Sequence, residues 1–157
     1  MANISFQSRA QATAEFIEKH RDLLSFGTAD NAVEGVWIER AEKFLGRPFT
    51  KSYKWFLDSY RGGEISGDEI YSVYGEPFET VVGGDIVCHH IIDKKNSAVE
   101  PWQLSISATD YGELFFFDYS RFDGAEAPIC MSMGKHVTDY ATDFFEFLVK
   151  RINAYLY

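Results

Sequence analysis

Four apolar residues in succession, Leu114-Phe115-Phe116-Phe117, follow a reversal at Asp110-Tyr111-Gly112. Such a run is β-prone and too apolar for a strand with one face in water, so it predicts a central strand covered on both faces. Gly112 suits the reversal, which makes Trp102–Thr109 and Glu113–Tyr119 the arms of a hairpin. Pro128–Met133 predicts a third strand of the same group, and Ile70, Tyr71, Val73 and Tyr74 predict one short strand within Ile65–Tyr74. A mainly antiparallel sheet follows, and the rest of the chain must cover it.

The covering material reads as helix. Ala12, Phe16, Leu23 and Leu24 fit a loose helical period over Gln11–Phe26, and Val33, Trp37, Ile38, Ala41, Phe44 and Leu45 mark a second helix over Glu34–Leu45, stopped by Gly46. The third is the clearest. Thr50 can cap it, Tyr53, Phe56, Leu57 and Tyr60 recur at i, i+3, i+4 and i+7, and Gly62-Gly63 ends it. The short Gly46–Thr50 link makes the second and third helices an αα-hairpin. Asp85 can cap a fourth helix reaching about Asn96, and Phe144, Phe145, Leu148, Ile152 and Tyr155 mark a last one from Asp139 to the end. The order predicts an α+β fold with helices packed over one sheet. No repeat, low-complexity tract or linker divides the sequence, so residues 1–157 are expected to form a single domain.

Charge narrows the function. The formal net charge is −9, and residues 61–134 carry all of it, with thirteen acidic side chains against Arg61, Lys94, Lys95 and Arg121. Such a field repels a phosphate backbone, which argues against a nucleic-acid ligand, and it attracts a basic protein and speeds the encounter. Two cysteines, Cys88 and Cys130, do not make the framework of a bridge-dependent secreted protein. The opening MANISFQSRAQ lacks the pattern of a signal peptide, and no apolar run approaches the ~20 residues of a membrane helix. A cytoplasmic location is expected, with no membrane partner.

Catalytic signatures are weak. The sequence has no G-x-S-x-G elbow, no Walker-type loop and no G-x-G-x-x-G after a strand. Gly83-Gly84 before a helix suits an anion, but Asp85 already supplies negative charge there. Cys88, His89 and His90, with Cys130 or His136, suggest zinc, yet adjacent helical residues point roughly 100° apart and do not converge. Asp110, Glu113 and Asp118 flank the hairpin as conceivable paired acids, where turn formation is the simpler role. Trp55 stands off the apolar stripe of the third helix, either flanking the core or exposed as a binding anchor. No catalytic residue, metal or cofactor is expected.

The stretch Ile38–Gly63, IERAEKFLGRPFTKSYKWFLDSYRGG, resembles the opening motif of the SUKH superfamily, through Glu42, Leu45, Gly46, Tyr53, Phe56, Leu57, Gly62 and Gly63. Asp110 to Asp118, DYGELFFFD, is similar to the family's acidic-glycine hairpin and the aromatic strand ending in Asp. Thr50 stands where the family often has Pro, Arg61 where it often has Asn, and Glu113 where Asp is commoner. The resemblance implies the SUKH (Smi/Knr-like) fold: a mainly antiparallel sheet with an N-terminal αα-hairpin and a C-terminal helix. It also implies a bacterial immunity protein, or antitoxin, that binds and neutralises a cognate polymorphic toxin of a toxin–antitoxin pair. The acidity suits a basic, nuclease-type toxin. Glu64, Asp68, Glu69, Glu76, Glu79, Asp123 and Glu126, with Tyr71, Tyr74 and Trp102, are the expected partner-binding residues. The alternatives are a regulatory protein-interaction scaffold of the Smi/Knr type, and a small acid- or metal-dependent hydrolase using Asp110, Glu113 and Asp118.

Overall fold

A computed structural model describes residues 4–81 and 83–156. Its seven strands form one antiparallel meander in which spatial order equals sequence order. They are β1 (Leu24–Phe26), β2 (Gly63–Ile65), β3 (Asp68–Ile70), β4 (Gln103–Ala108), β5 (Glu113–Asp118), β6 (Ile129–Met133) and β7 (His136–Ala141). The helices are α1 (Phe6–Lys19), α2 (Gly35–Leu45), α3 (Lys51–Tyr60), α4 (Ile86–Lys95) and α5 (Phe144–Asn153). The fold is α+β, with helices on the sheet as the patterning requires.

The aromatic run becomes an inner strand, β5, hydrogen-bonded to β4 and β6. Alternation sends Phe115 and Phe117 to the helical side, where both are fully buried against Phe147, Phe144 and Tyr53. Phe116 faces the other way and is still buried, with Trp102 edge-on to it and Cys130 opposite. Leu114 departs from the expectation of cover on both faces, being 48% exposed at the start of the strand. Tyr53 and Phe56 from α3 and Phe144 from α5 complete the aromatic core, and each such ring removed from water contributes roughly 1.5–3 kcal/mol.

Helix boundaries follow local chemistry. The Thr50 side chain accepts from the Tyr53 amide at α3, Asp85 from Val87 and Cys88 at α4, and Asp143 from Glu146 at α5. Gly46 closes α2 in a left-handed conformation, and α3 follows after a short link bridged by the Lys54–Glu42 ion pair.

Three expectations are corrected. The helix read over Gln11–Phe26 begins earlier, capped by Ser5, and ends at Lys19; Leu24–Phe26 instead pairs with Gly63–Ile65 as an edge strand. A strand of three residues is too short to display alternation, and its state is set by the strand beside it. Of the single strand read within Ile65–Tyr74, Ile65 ends β2 and Ile70 ends β3 around a turn at Ser66-Gly67, where both residues have positive φ, the geometry of a tight hairpin, while Tyr71, Val73 and Tyr74 lie beyond β3. The last helix does not start at Asp139. Residues 136–141 form β7, and α5 begins at Phe144, because the Gly134 turn returns the chain beside β6 before Asp143 caps the helix.

One salt bridge holds α5 to the hairpin of β2 and β3. Arg151, 5% exposed, donates to Asp68 at 3.1 Å, and Tyr155 donates to the same carboxylate. Removing one partner from a buried pair leaves an uncompensated charge. Arg151→Met is therefore expected to lower stability by about 3 kcal/mol or more in urea denaturation, and Asp68→Leu added to it should recover most of the loss. A second local test is Arg61, which sits at φ 64, ψ −43 with the Gly62 amide donating to the Tyr60 carbonyl at 2.7 Å. This is a γ-turn, strained for any residue with a Cβ. Arg61→Gly should raise stability by about 1 kcal/mol in the same assay, since relief of strain exceeds the added chain entropy.

Candidate functional site

The expected partner-binding residues divide into charges held by the protein and charges left free. Glu126 lies at the start of α3, accepting from the Ser52 amide at 2.9 Å and the Ser52 hydroxyl at 2.6 Å. The Ser52 oxygen in turn accepts from the Phe144 amide of α5 at 3.0 Å. Burial raises the Glu126 carboxyl above its ordinary range, against the lowering effect of the Ser52 bonds. Asp123 caps the same loop by accepting from Ala125 and Glu126 amides, which hold its carboxyl low. Asp68 belongs to the α5 salt bridge.

Glu69 and Glu64 stand directly opposite each other on β3 and β2, a like-charge pair. Glu69 accepts from the Tyr74 hydroxyl at 2.6 Å, and that oxygen accepts from the Gly84 amide at 2.7 Å. Burial and the Glu69 bond raise the Tyr74 phenol to about 12. A Cβ at Gly84 would strike the Glu69 carboxylate. The Gly83-Gly84 segment considered above as an anion site is thus packed on a carboxylate of the protein itself. Tyr71 stacks on His89 with ring centroids 3.8 Å apart, and Trp102 lies on Phe116. Glu64, Glu76 and Glu79 are exposed and, among the described residues, have no basic side chain in ion-pair range.

The residues considered for chemistry are not brought together. Glu113 and Asp118 occupy opposite ends of β5, on the order of 17 Å apart at ~3.4 Å per residue. Asp118 is engaged by Ser120 and Arg121, and Arg121 also pairs with Asp139. The Cys88 thiol donates to the Val81 carbonyl, His89 stacks on Tyr71, and Cys130 lies beside Arg121. Among the described residues no group of three or more His, Cys, Asp or Glu side chains is placed to hold a metal ion. Trp55 flanks the core, edge-on to Tyr60 and Phe145.

Sequence reading did not find the meeting of Arg47 with His90 and Lys94 around one cavity. Nothing in their spacing links them, and only the packing of α4 beside α2 does so. No helix among the described residues is long and apolar enough to cross a membrane.

Glu126 supplies a pH test. Its carboxyl is raised in the folded state, so its contribution to stability is fully present below the ordinary carboxylate range and is lost as pH rises through the raised value. Glu126→Gln does not titrate. Its stability relative to the natural protein should therefore improve between pH 4 and pH 7 in paired urea denaturations, whereas parallel curves would contradict the assigned burial.

Compared with protein families, the sequence matches the SMI1 / KNR4 family (SUKH-1) over residues 33–150, a span containing both motifs singled out above. No curated protein matches it.

Proposed function

Because the chain belongs to the SMI1 / KNR4 family (SUKH-1), we propose that it is an immunity protein that binds a cognate polymorphic toxin and neutralises it by covering its functional surface. The family is the first support. The observation that carries the partner's chemistry is the set of exposed carboxylates in residues 61–134 that, among the described residues, have no ion-pair partner: Glu64, Glu76, Glu79 and Asp110. Acids that cap helices or close salt bridges inside the fold are spent on stability. Unpaired exposed ones leave a negative field that steers a positively charged macromolecule. A nuclease-type toxin fits, since a surface that grips phosphates is basic.

In this reading Glu64, Glu76 and Glu79 are the principal partner-binding charges. Glu69 adds to the field at Glu64, and the half-buried Tyr71, Tyr74 and Trp102 offer amphipathic contact area of the kind found at interface hot spots. Asp68, Asp123 and Glu126 serve internal bonds and are not among the charges offered to a partner. The protein acts in the cytoplasm of the toxin-producing cell and catalyses nothing.

The test uses the product of the gene beside this chain's, which the proposal expects to carry a toxin domain. Co-expression should restore growth, and the two proteins should co-purify. The triple variant Glu64→Lys, Glu76→Lys, Glu79→Lys should associate about tenfold more slowly at low salt, with a shallower salt dependence. Its melting temperature should stay close to that of the natural protein, because these side chains have no ion-pair partner among the described residues. Unaltered association kinetics would overturn the proposed surface. Co-purification without protection from the toxin would favour a regulatory scaffold.

A further inference from the structure

Unpaired basic side chains are conspicuous in an acidic protein, and three of them converge on one cavity. The cavity, of about 370 Å³, lies beside the ends of α2 and α4 and is lined by Leu45, Arg47, His90, Lys94, Ser97 and Glu100 among others. Arg47 is fixed there by two contacts: Nη2 donates to the Pro101 carbonyl at 2.8 Å, and the guanidinium lies 4.7 Å over the Tyr119 ring. Its Nη1 is buried and meets no acceptor among the described residues, and the same is true of Nδ1 of His90, a side chain only 9% exposed. Neither Arg47 nor Lys94 has a carboxylate within 4.0 Å among the described residues, although Glu100 shares the cavity wall.

The end of α4 does not occupy these cations. Its last carbonyls, those of Ile92, Asp93 and Lys94, already accept from the backbone amides of Asn96, Ala98 and Ser97. A buried guanidinium nitrogen with no acceptor carries the full cost of its lost hydration, so such groups in folded proteins ordinarily have a partner. An arginine fork supported from behind, with a lysine and an imidazole beside it, matches a tetrahedral oxyanion in both charge and donor geometry.

We propose that this cavity binds a phosphate group, with Arg47 Nη1, the Lys94 ammonium and an imidazole N–H of His90 as donors. Arg47 and Lys94 carry two positive charges at neutral pH and match a phosphate dianion. The groups acting on His90 are Lys94 and Asp93 from its own helix, Arg47 from the link after α2, and Glu100 from the turn after α4. Burial and the two cations hold the imidazole below its ordinary basicity, while Asp93 acts in the opposite sense. A bound anion adds negative charge among them and moves His90 upward. Its donors, Arg47, Lys94 and His90, are none of the side chains proposed to meet a toxin, and the proposal does not depend on that reading.

The test is a titration of the full chain, labelled at histidine, with inorganic phosphate and with glycerol phosphate, read by the side-chain resonances of His90. Chloride and acetate at matched ionic strength serve as controls. Saturable one-to-one binding is expected, with the His90 titration displaced to higher pH by at least one unit. Lys94 is exposed, so Lys94→Ala should fold, and it should weaken binding about tenfold while Lys95→Ala does not. Binding of both phosphates marks free phosphate as sufficient, and binding of glycerol phosphate alone marks a phosphate monoester as the ligand. The proposal is overturned if His90 does not respond, if chloride or acetate acts as strongly, or if the two lysine variants behave alike.

Discussion

The N-termini of α3 and α5 meet at the Ser52 hydroxyl, which the Glu126 carboxylate holds, and the arrangement of helices over the sheet depends on that junction. Glu126 accepts from the Ser52 amide and hydroxyl of α3, and the Ser52 oxygen accepts from the first amide of α5. Asp143 caps α5 at the same place and is bound by Arg9 of α1. Orphan amides at a helix start require acceptors, and a buried start cannot take them from water. The loop before β6 therefore holds α3, and through it α5, while Arg9 brings in α1. The aromatic core of Tyr53, Phe56, Phe144 and Phe147 lies on these same two helices, so its packing is fixed by a polar contact at their ends.

The charge of the molecule has two uses. Asp68, Asp85, Asp118, Asp143 and Glu126 work inside the fold, as salt-bridge partners or acceptors for backbone amides. Glu64, Glu76 and Glu79 are exposed to water and make no such contacts among the described residues. A net charge of −9 is thus not a measure of the binding surface. Much of the acidity counted in the central segment is structural, and what reaches a partner is the field of the remainder. The basic residues divide in the same way: Arg121 and Arg151 are locked by carboxylates, while Arg47 and Lys94 are not.

Much of the fold was legible because the responsible signals are local. The Thr50 cap and the stripe of Tyr53, Phe56, Leu57 and Tyr60 lie within eleven residues of one another in sequence, whereas the stop expected at Gly62-Gly63 falls on Arg61, which caps the helix at positive φ. Asp85 likewise capped its helix through amides close in sequence. Leu24–Phe26 was misread, and β7 was missed, because short edge segments carry little pattern of their own; the neighbouring strand decides their state. The expected binding residues were read from net charge, which is blind to pairing. Sequence could not separate Glu64, exposed to water, from Asp68, half-buried and paired with Arg151.

The sequence by itself determined the helix caps, the inner aromatic strand, the antiparallel class and the acidity of the middle of the chain. Each of these follows from side-chain chemistry acting over a few residues. Only the tertiary structure decided which carboxylates are neutralised, how seven strands order into one meander, and that Arg47 shares a cavity with His90. Those outcomes depend on contacts between residues tens of positions apart. Such contacts form when burial of the shared core brings distant segments together, and no local pattern records them.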